Sequence, residues 1–252
     1  GIALLTLMSI APVLPWRKAS AETLQTRLFW PMWSGIAALV ASLALGAYGL
    51  APLLTFTLGG VSGGAALRQV VLATRRQGLR GLVGRANGGM IVHLGVILIA
   101  VALGASNSYS KSQELSLVVG VPATFAGHSF ELTDVIEVRD DRSVSVKARV
   151  IVDGDKTYEP AITKYTRIGM NVGTPSVKAS LTSDIYLTLE PPVRQDSNTA
   201  RIKVFIKPMI TWLWIGTMLM AVGTFLAAFP GRRRRPTDAT SAPVLVNEKI
   251  QN

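Results

Sequence analysis

Residues 88–106, GGMIVHLGVILIAVALGAS, form an apolar run whose one ionisable side chain is His93. A run of about 18 or more apolar residues predicts a transmembrane helix, because in hydrocarbon only a helix pairs every backbone N–H and C=O within its own segment. An imidazole at that depth is costly to place, so it ordinarily faces a bundle interior, a proton path or a bound cofactor. His93 sits about five residues into the run, roughly 8 Å from its start at a rise of about 1.5 Å per residue. Arg80 and Arg85 come just before the run, and a polar stretch, residues 107–207, follows it.

Other apolar runs flank this one. Residues 1–16 end at Trp16 and Arg17-Lys18, an interfacial aromatic followed by basic anchors. No basic segment precedes them, so they do not read as a signal peptide; the chain is expected to begin inside a helix, as a fragment or one part of a divided protein would. Residues 33–50, entered through Arg27 and Trp30-Pro31, are the second predicted span, and 53–72 the third, with a tight turn expected at 49–52. A basic amphipathic linker, ATRRQGLRGLVGR, leads to the His93 helix and is expected to lie at the membrane surface. The last span, 208–230, has Trp212 and Trp214 near its entry and four arginines, 232–235, at its exit; the polar tail after Pro236 has the composition of a disordered segment. Gly59, Gly60, Gly63 and Gly64 in the third run predict close helix packing, with a cofactor surface as the alternative.

Between the spans the period changes to two. Val144, Val146, Ala148, Val150 and Val152 alternate with Ser145, Lys147, Arg149 and Ile151, and Asp153-Gly154 supplies a turn to the next strand. Ile202, Val204 and Ile206, the pair Phe130 and Leu132, and Ile185, Leu187 and Leu189 follow the same rule. With turn signals at 121–122, 140–141 and 191–192, this predicts a small antiparallel β domain over 107–207. The fold class is therefore a membrane protein, mainly α, with about five transmembrane helices, the first truncated, and the β domain inserted before the last helix.

The net charge of +11 invites a nucleic-acid reading, but its distribution excludes one. Residues 106–207 hold 13 Lys/Arg and 12 Asp/Glu, whereas the remainder holds 13 Lys/Arg and 3 Asp/Glu. The second set falls in short segments beside apolar runs, the pattern that fixes helix orientation in membranes. The arginine-rich segments belong on the cytoplasmic side, so the β domain is expected outside the cytoplasm.

Chemistry is sparse. With no cysteine there is no disulfide, thiolate metal site or thiol nucleophile. The two histidines, His93 and His128, fall in different regions and cannot share a metal. His93 reads as a packed or proton-relaying residue or as an axial haem ligand, whose partner would come from helices outside this chain or from Met218 or Met220. His128 reads as a surface or strand-edge residue, Asp140, Asp141, Asp153 and Asp155 as turn residues. GGVSGG lies in an apolar run without the Lys-Ser/Thr of a phosphate loop.

RANGGMIVHLGVILIAVALGAS resembles the helix of CcmF-type cytochrome c haem lyases in which a Gly-Met…His-Leu-Gly motif carries a membrane haem b ligand. SDIYLTLEP is similar to that family's Arg-Asp-Leu-Tyr-Val segment, and VFIKPMITWLWIGTMLMAVGTFLA to its last helix with Lys-Pro…Trp-Leu-Trp-Ile-Gly-Thr. The resemblance covers only the C-terminal part of the family. The tryptophan-rich external haem-binding motif, its flanking histidines and the other membrane histidine are missing. It implies that His93 ligates the iron of haem b, with the second ligand outside this chain, and that the chain alone is not active as a lyase. It also implies partners: a haem-chaperone protein delivering haem, apocytochrome c with its thiol-reducing and presenting subunits, the remaining part of the lyase, and quinol as electron source. The alternative reading is a non-catalytic membrane scaffold presenting a β domain to external partners.

Overall fold

The computed structural model describes residues 1–10, 21–167, 169–191 and 198–229. Arg17, Lys18, the 232–235 arginines and the tail lie outside them. Five α-helices are present among these residues: α1 Ile2–Ile10, α2 Ala21–Ala44, α3 Leu50–Gln77, α4 Arg85–Tyr109 and α5 Ile210–Ala228. Leu50–Leu82, Asn87–Tyr109 and Ile210–Ala228 are each long and apolar enough to cross a membrane, and Leu28–Ala44 is a shorter apolar helix. The protein is thus mainly α and multi-pass, with its β strands between α4 and α5.

Helix ends differ from the expected ones for local reasons. The break between α2 and α3 falls at residues 45–49, not 49–52, because Gly46 and Gly49 take positive φ of 80° and 90° there. Pro52 sits inside the first turn of α3, where its missing N–H has no helical partner to lose. Trp30-Pro31 does not open α2, which starts at Ala21; Pro31 is interior, and the Ser34 hydroxyl reaches both the Pro31 carbonyl (2.7 Å) and the Gly60 carbonyl of α3 (2.9 Å).

Small residues bring the helices together. A Cβ on Gly60 would lie 2.6 Å from the Ala38 Cβ of α2, and one on Gly59 would lie 2.5 Å from Val101 of α4. Gly64 meets Ser34 in the same way, but Gly63 faces open space, so three of the four glycines make the close approach. The α4–α5 contact is a glycine seam: Gly88 and Gly95 of α4 pack on Ala227, Gly223, Met220 and Gly216 of α5. Helix α1 is held to α3 by a buried Ser9–Ser62 hydroxyl pair at 2.7 Å.

Ten strands follow α4: β1 Lys111–Val118, β2 Ala123–Phe125, β3 His128–Asp140, β4 Ser143–Val152, β5 Lys156–Tyr158, β6 Ala161–Tyr165, β7 Asn171–Thr174, β8 Ser176–Lys178, β9 Ser183–Glu190 and β10 Thr199–Pro208. They make two antiparallel sheets, β1-β10-β9-β8 and β2-β3-β4-β6-β7, with β5 paired to β4. The alternating residues face inward: Phe130, Leu132, Ala148, Val150, Val152, Leu187, Ile202 and Val204 are all fully buried in one core shared by both sheets. Asp153 and Gly154 adopt positive φ of 54° and 79° and form the predicted turn.

The β domain joins the membrane helices without spacers. Ser110 alone separates α4 from β1, and Met209 alone separates β10 from α5. β1 and β10 pair with each other from Lys111↔Ile206 to Val118↔Thr199, so two packed helices continue as two paired strands. At the root of α5, Trp212 Nε1 donates to the Leu181 carbonyl (2.8 Å), Thr211 Oγ1 donates to the Ser180 carbonyl (2.7 Å), and the buried Asp184 carboxylate accepts the Ser180 N–H (3.1 Å).

Candidate functional site

His93 lies eight residues after Arg85, where α4 begins. That is about 12 Å along the axis, deeper than the sequence run suggested because the helix starts earlier. Tyr109, at the β-domain end, is about 24 Å further on. The imidazole is exposed on α4 rather than packed within the chain's own helices. Among the described residues it has no hydrogen-bond partner.

The surroundings of that ring are set by which face of α4 each neighbour occupies. Gly88, Val92 and Gly95 turn toward α5, while Ile97 and Ala100 pack on Leu5 and Met8 of α1. Gly89, one turn before His93 and therefore on its face, is different: a Cβ there would meet no heavy atom within 4 Å. The missing side chain leaves clearance beside the imidazole, as a flat ligand on that face requires. Met220 is taken up in the seam against Gly95, and Met218 is 72% exposed on α5. No group of three or more His, Cys, Asp or Glu able to hold a metal ion exists among the described residues.

Arg80 in the 3₁₀ turn Gly78–Leu82 and Arg85 at the start of α4 are exposed at the same end of the helix as His93. That end is pinned: Asn87 Nδ2 donates to the Gly81 carbonyl (2.5 Å), and the Gly84 N–H to the Leu226 carbonyl of α5 (3.0 Å).

His128 opens β3 on the far side of the molecule, and the structure does not bring it near His93. It is not merely a strand-edge residue. Its Nδ1 lies 2.7 Å from Asp153 Oδ2, while Asp153 Oδ1 accepts the Ser129 N–H at 3.1 Å. The hydrogen bond from His128, aided by that from Ser129, holds the Asp153 carboxyl below its ordinary value of 3.8 against a smaller opposing effect of burial. Burial pushes the Tyr158 phenol up to about 12. Reading Asp153 as a turn residue alone missed its link to a histidine 25 positions earlier, a contact made only when the β2–β3 and β4–β5 turns meet.

No family model matches the chain. Individual relatives do. The cytochrome c-type biogenesis protein CcmF of Pseudomonas fluorescens is 28% identical over 92% of this chain and 36% of its own length. The CcmF of Pseudomonas aeruginosa is 26% identical over the same shares, and that of Haemophilus influenzae 28% identical over 64% of this chain and 26% of its own. A solved structure of the cytochrome c heme lyase CcmF superposes with a TM-score of 0.76 at 21% identity, covering 91% of this chain and 39% of that one. In sequence the chain is similar to CcmF proteins over most of its length, and it shares the fold of the solved one. It spans about a third of the length of these CcmF relatives, so it corresponds to a part of their architecture.

Proposed function

We propose that this chain is part of a cytochrome c haem lyase and supplies His93 as one axial ligand of a membrane haem b, the second ligand coming from outside the chain. The observation that carries this reading is an exposed imidazole at membrane depth, on the one face of α4 where Gly89 leaves room for a planar group. Similarity to CcmF proteins supports the class of activity. When bound, haem b would supply one-electron chemistry, its potential set by axial ligation and burial.

The chain's own part is positional. α4 holds the imidazole at fixed depth because the glycine seam locks it to α5, and Gly89 keeps the adjoining surface clear. In this reading the arginine-bearing end faces the cytoplasm, which puts the β domain on the periplasmic side of a bacterial inner membrane. There it would meet a haem-chaperone protein and an apocytochrome c presented with reduced thiols. Attachment adds each thiol S–H across a haem vinyl group, which needs ferrous haem but consumes no net electrons. Quinol is the reductant that this reading assigns to the membrane haem.

The test is the visible spectrum of the complete protein carrying His93→Ala. Loss of the b-type absorption bands, with the β domain still protease-resistant, is expected. An unchanged b-type spectrum overturns the assignment, and absence of any haem from the wild type favours the scaffold reading instead.

A further inference from the structure

A cavity lies at the end of the helices away from His93, where they meet the β domain. It measures about 940 Å³, the size of a ligand pocket. Its walls come from Ala38 and Ala41 of α2, Gly59 and Gly60 of α3, and Val101 and Ala105 of α4, and Lys111 stands at its mouth on β1. The long axis has a definite length. Gly59 and Gly60 lie nine and ten residues into α3, and Val101 lies eight residues before the end of α4. At 1.5 Å per residue the slot descends about 12–15 Å from the β-domain end, which is the depth of one hydrocarbon leaflet, about half of 30 Å.

The slot has one polar end. Its backbone rim is already satisfied: Tyr109 Oη accepts the Tyr48 N–H (3.1 Å) and donates to the Tyr48 carbonyl (2.8 Å), which clamps the α2–α3 turn to α4. The Ser42 hydroxyl donates to Leu39 within its own helix (2.8 Å). Lys111 is the charged group among the lining residues, and it has no ion-pair partner among the described residues. An apolar slot one leaflet deep, with an unpaired cation at headgroup level, is complementary to a molecule with a hydrocarbon chain and an anionic head.

We infer that this slot holds an acyl chain of an anionic phospholipid from the leaflet facing the β domain, its phosphate on Lys111. The site is separate from His93 and does not depend on the haem reading. Phosphatidylglycerol is the probe. The complete protein is purified in detergent, exchanged into bilayer nanodiscs with equal phosphatidylglycerol and phosphatidylcholine, re-extracted, and its retained lipid measured by native mass spectrometry.

The wild type is expected to keep phosphatidylglycerol over phosphatidylcholine by at least tenfold. Lys111→Glu removes that preference while leaving a lipid bound, and Ala41→Trp, at an exposed wall position, removes retained lipid of both kinds. A photo-cross-linking side chain placed at position 41 should label lipid. Retention of no lipid by the wild type, an unchanged pattern in Ala41→Trp, recovery of a quinone in place of phospholipid, or cross-linking of position 41 to polypeptide each overturns the proposal.

Discussion

The helical layer and the β domain bury themselves by opposite means. In the β domain two sheets close on one continuous core in which Phe130, Leu132, Val150 and Ile202 have no exposed surface, so the strands complete their own interior. The helices share few buried side chains, and apolar residues such as Trp30, Val40, Leu45, Met218 and Phe225 stay more than half exposed. Their contacts are made by glycine and alanine backbones in close approach. In water the first design is driven by removal of apolar surface; in lipid that drive vanishes between helices, and packing of small residues replaces it.

The contrast can be attacked where it is strongest. Phe130→Ala should destabilise the β domain by about 3–5 kcal/mol, the cost of a large cavity in a closed core. The readout is the urea midpoint for loss of protease protection, with Val222→Ala, 54% exposed on α5, as the reference expected to change little. Equal shifts in the two variants would break the distinction.

Gly95→Leu addresses the other side of it. A Cβ there meets Met220 Cγ at 2.5 Å and the Gly216 carbonyl at 2.6 Å, so α4 and α5 must part. A loss of about 1–3 kcal/mol is expected, seen as a lowered melting temperature in detergent. Gly89→Ala, with nothing near its Cβ, should stay within about 0.5 kcal/mol. If both glycines respond alike, the seam is not what joins these helices.

The smallest effect concerns the His128–Asp153 pair, whose side chains are 29% and 34% exposed. Because the Asp153 pKa is lowered on folding, its contribution is present above the ordinary value of 3.8 and is lost as pH falls through the lower folded value. Acid melting of the β domain should therefore be less steep in Asp153→Asn. Exposed pairs are worth about 0–1 kcal/mol, and a larger effect would mark the turn contact as part of the core.

Much of this was legible in the order of residues. The alternation of Val144 to Val152 located β4, and the 88–106 run located α4, because both patterns follow from which faces meet water or lipid. What was not legible depended on contacts between distant segments. Pro31 looked like a helix entry, yet it lies inside α2, beside a Ser34 hydroxyl that reaches across to the Gly60 carbonyl of α3. Gly63 looked equivalent to Gly59 and Gly60 but faces no neighbour, since helix rotation decides which glycines touch. For the site, His93 stood out as the lone ionisable group in its run. Gly89 did not, although its place one turn earlier on the same face could have been read from spacing alone.

The absence of slack where α4 becomes β1 and β10 becomes α5 has a mechanical outcome. Two stiff rods, keyed together by the glycine seam, emerge as neighbouring strands of a single ladder, and the Trp212 and Thr211 hydrogen bonds brace the exit. Any tilt or twist of that helix pair within the bilayer must therefore swing the whole external module through the same angle, as a rigid lever turns with its axle.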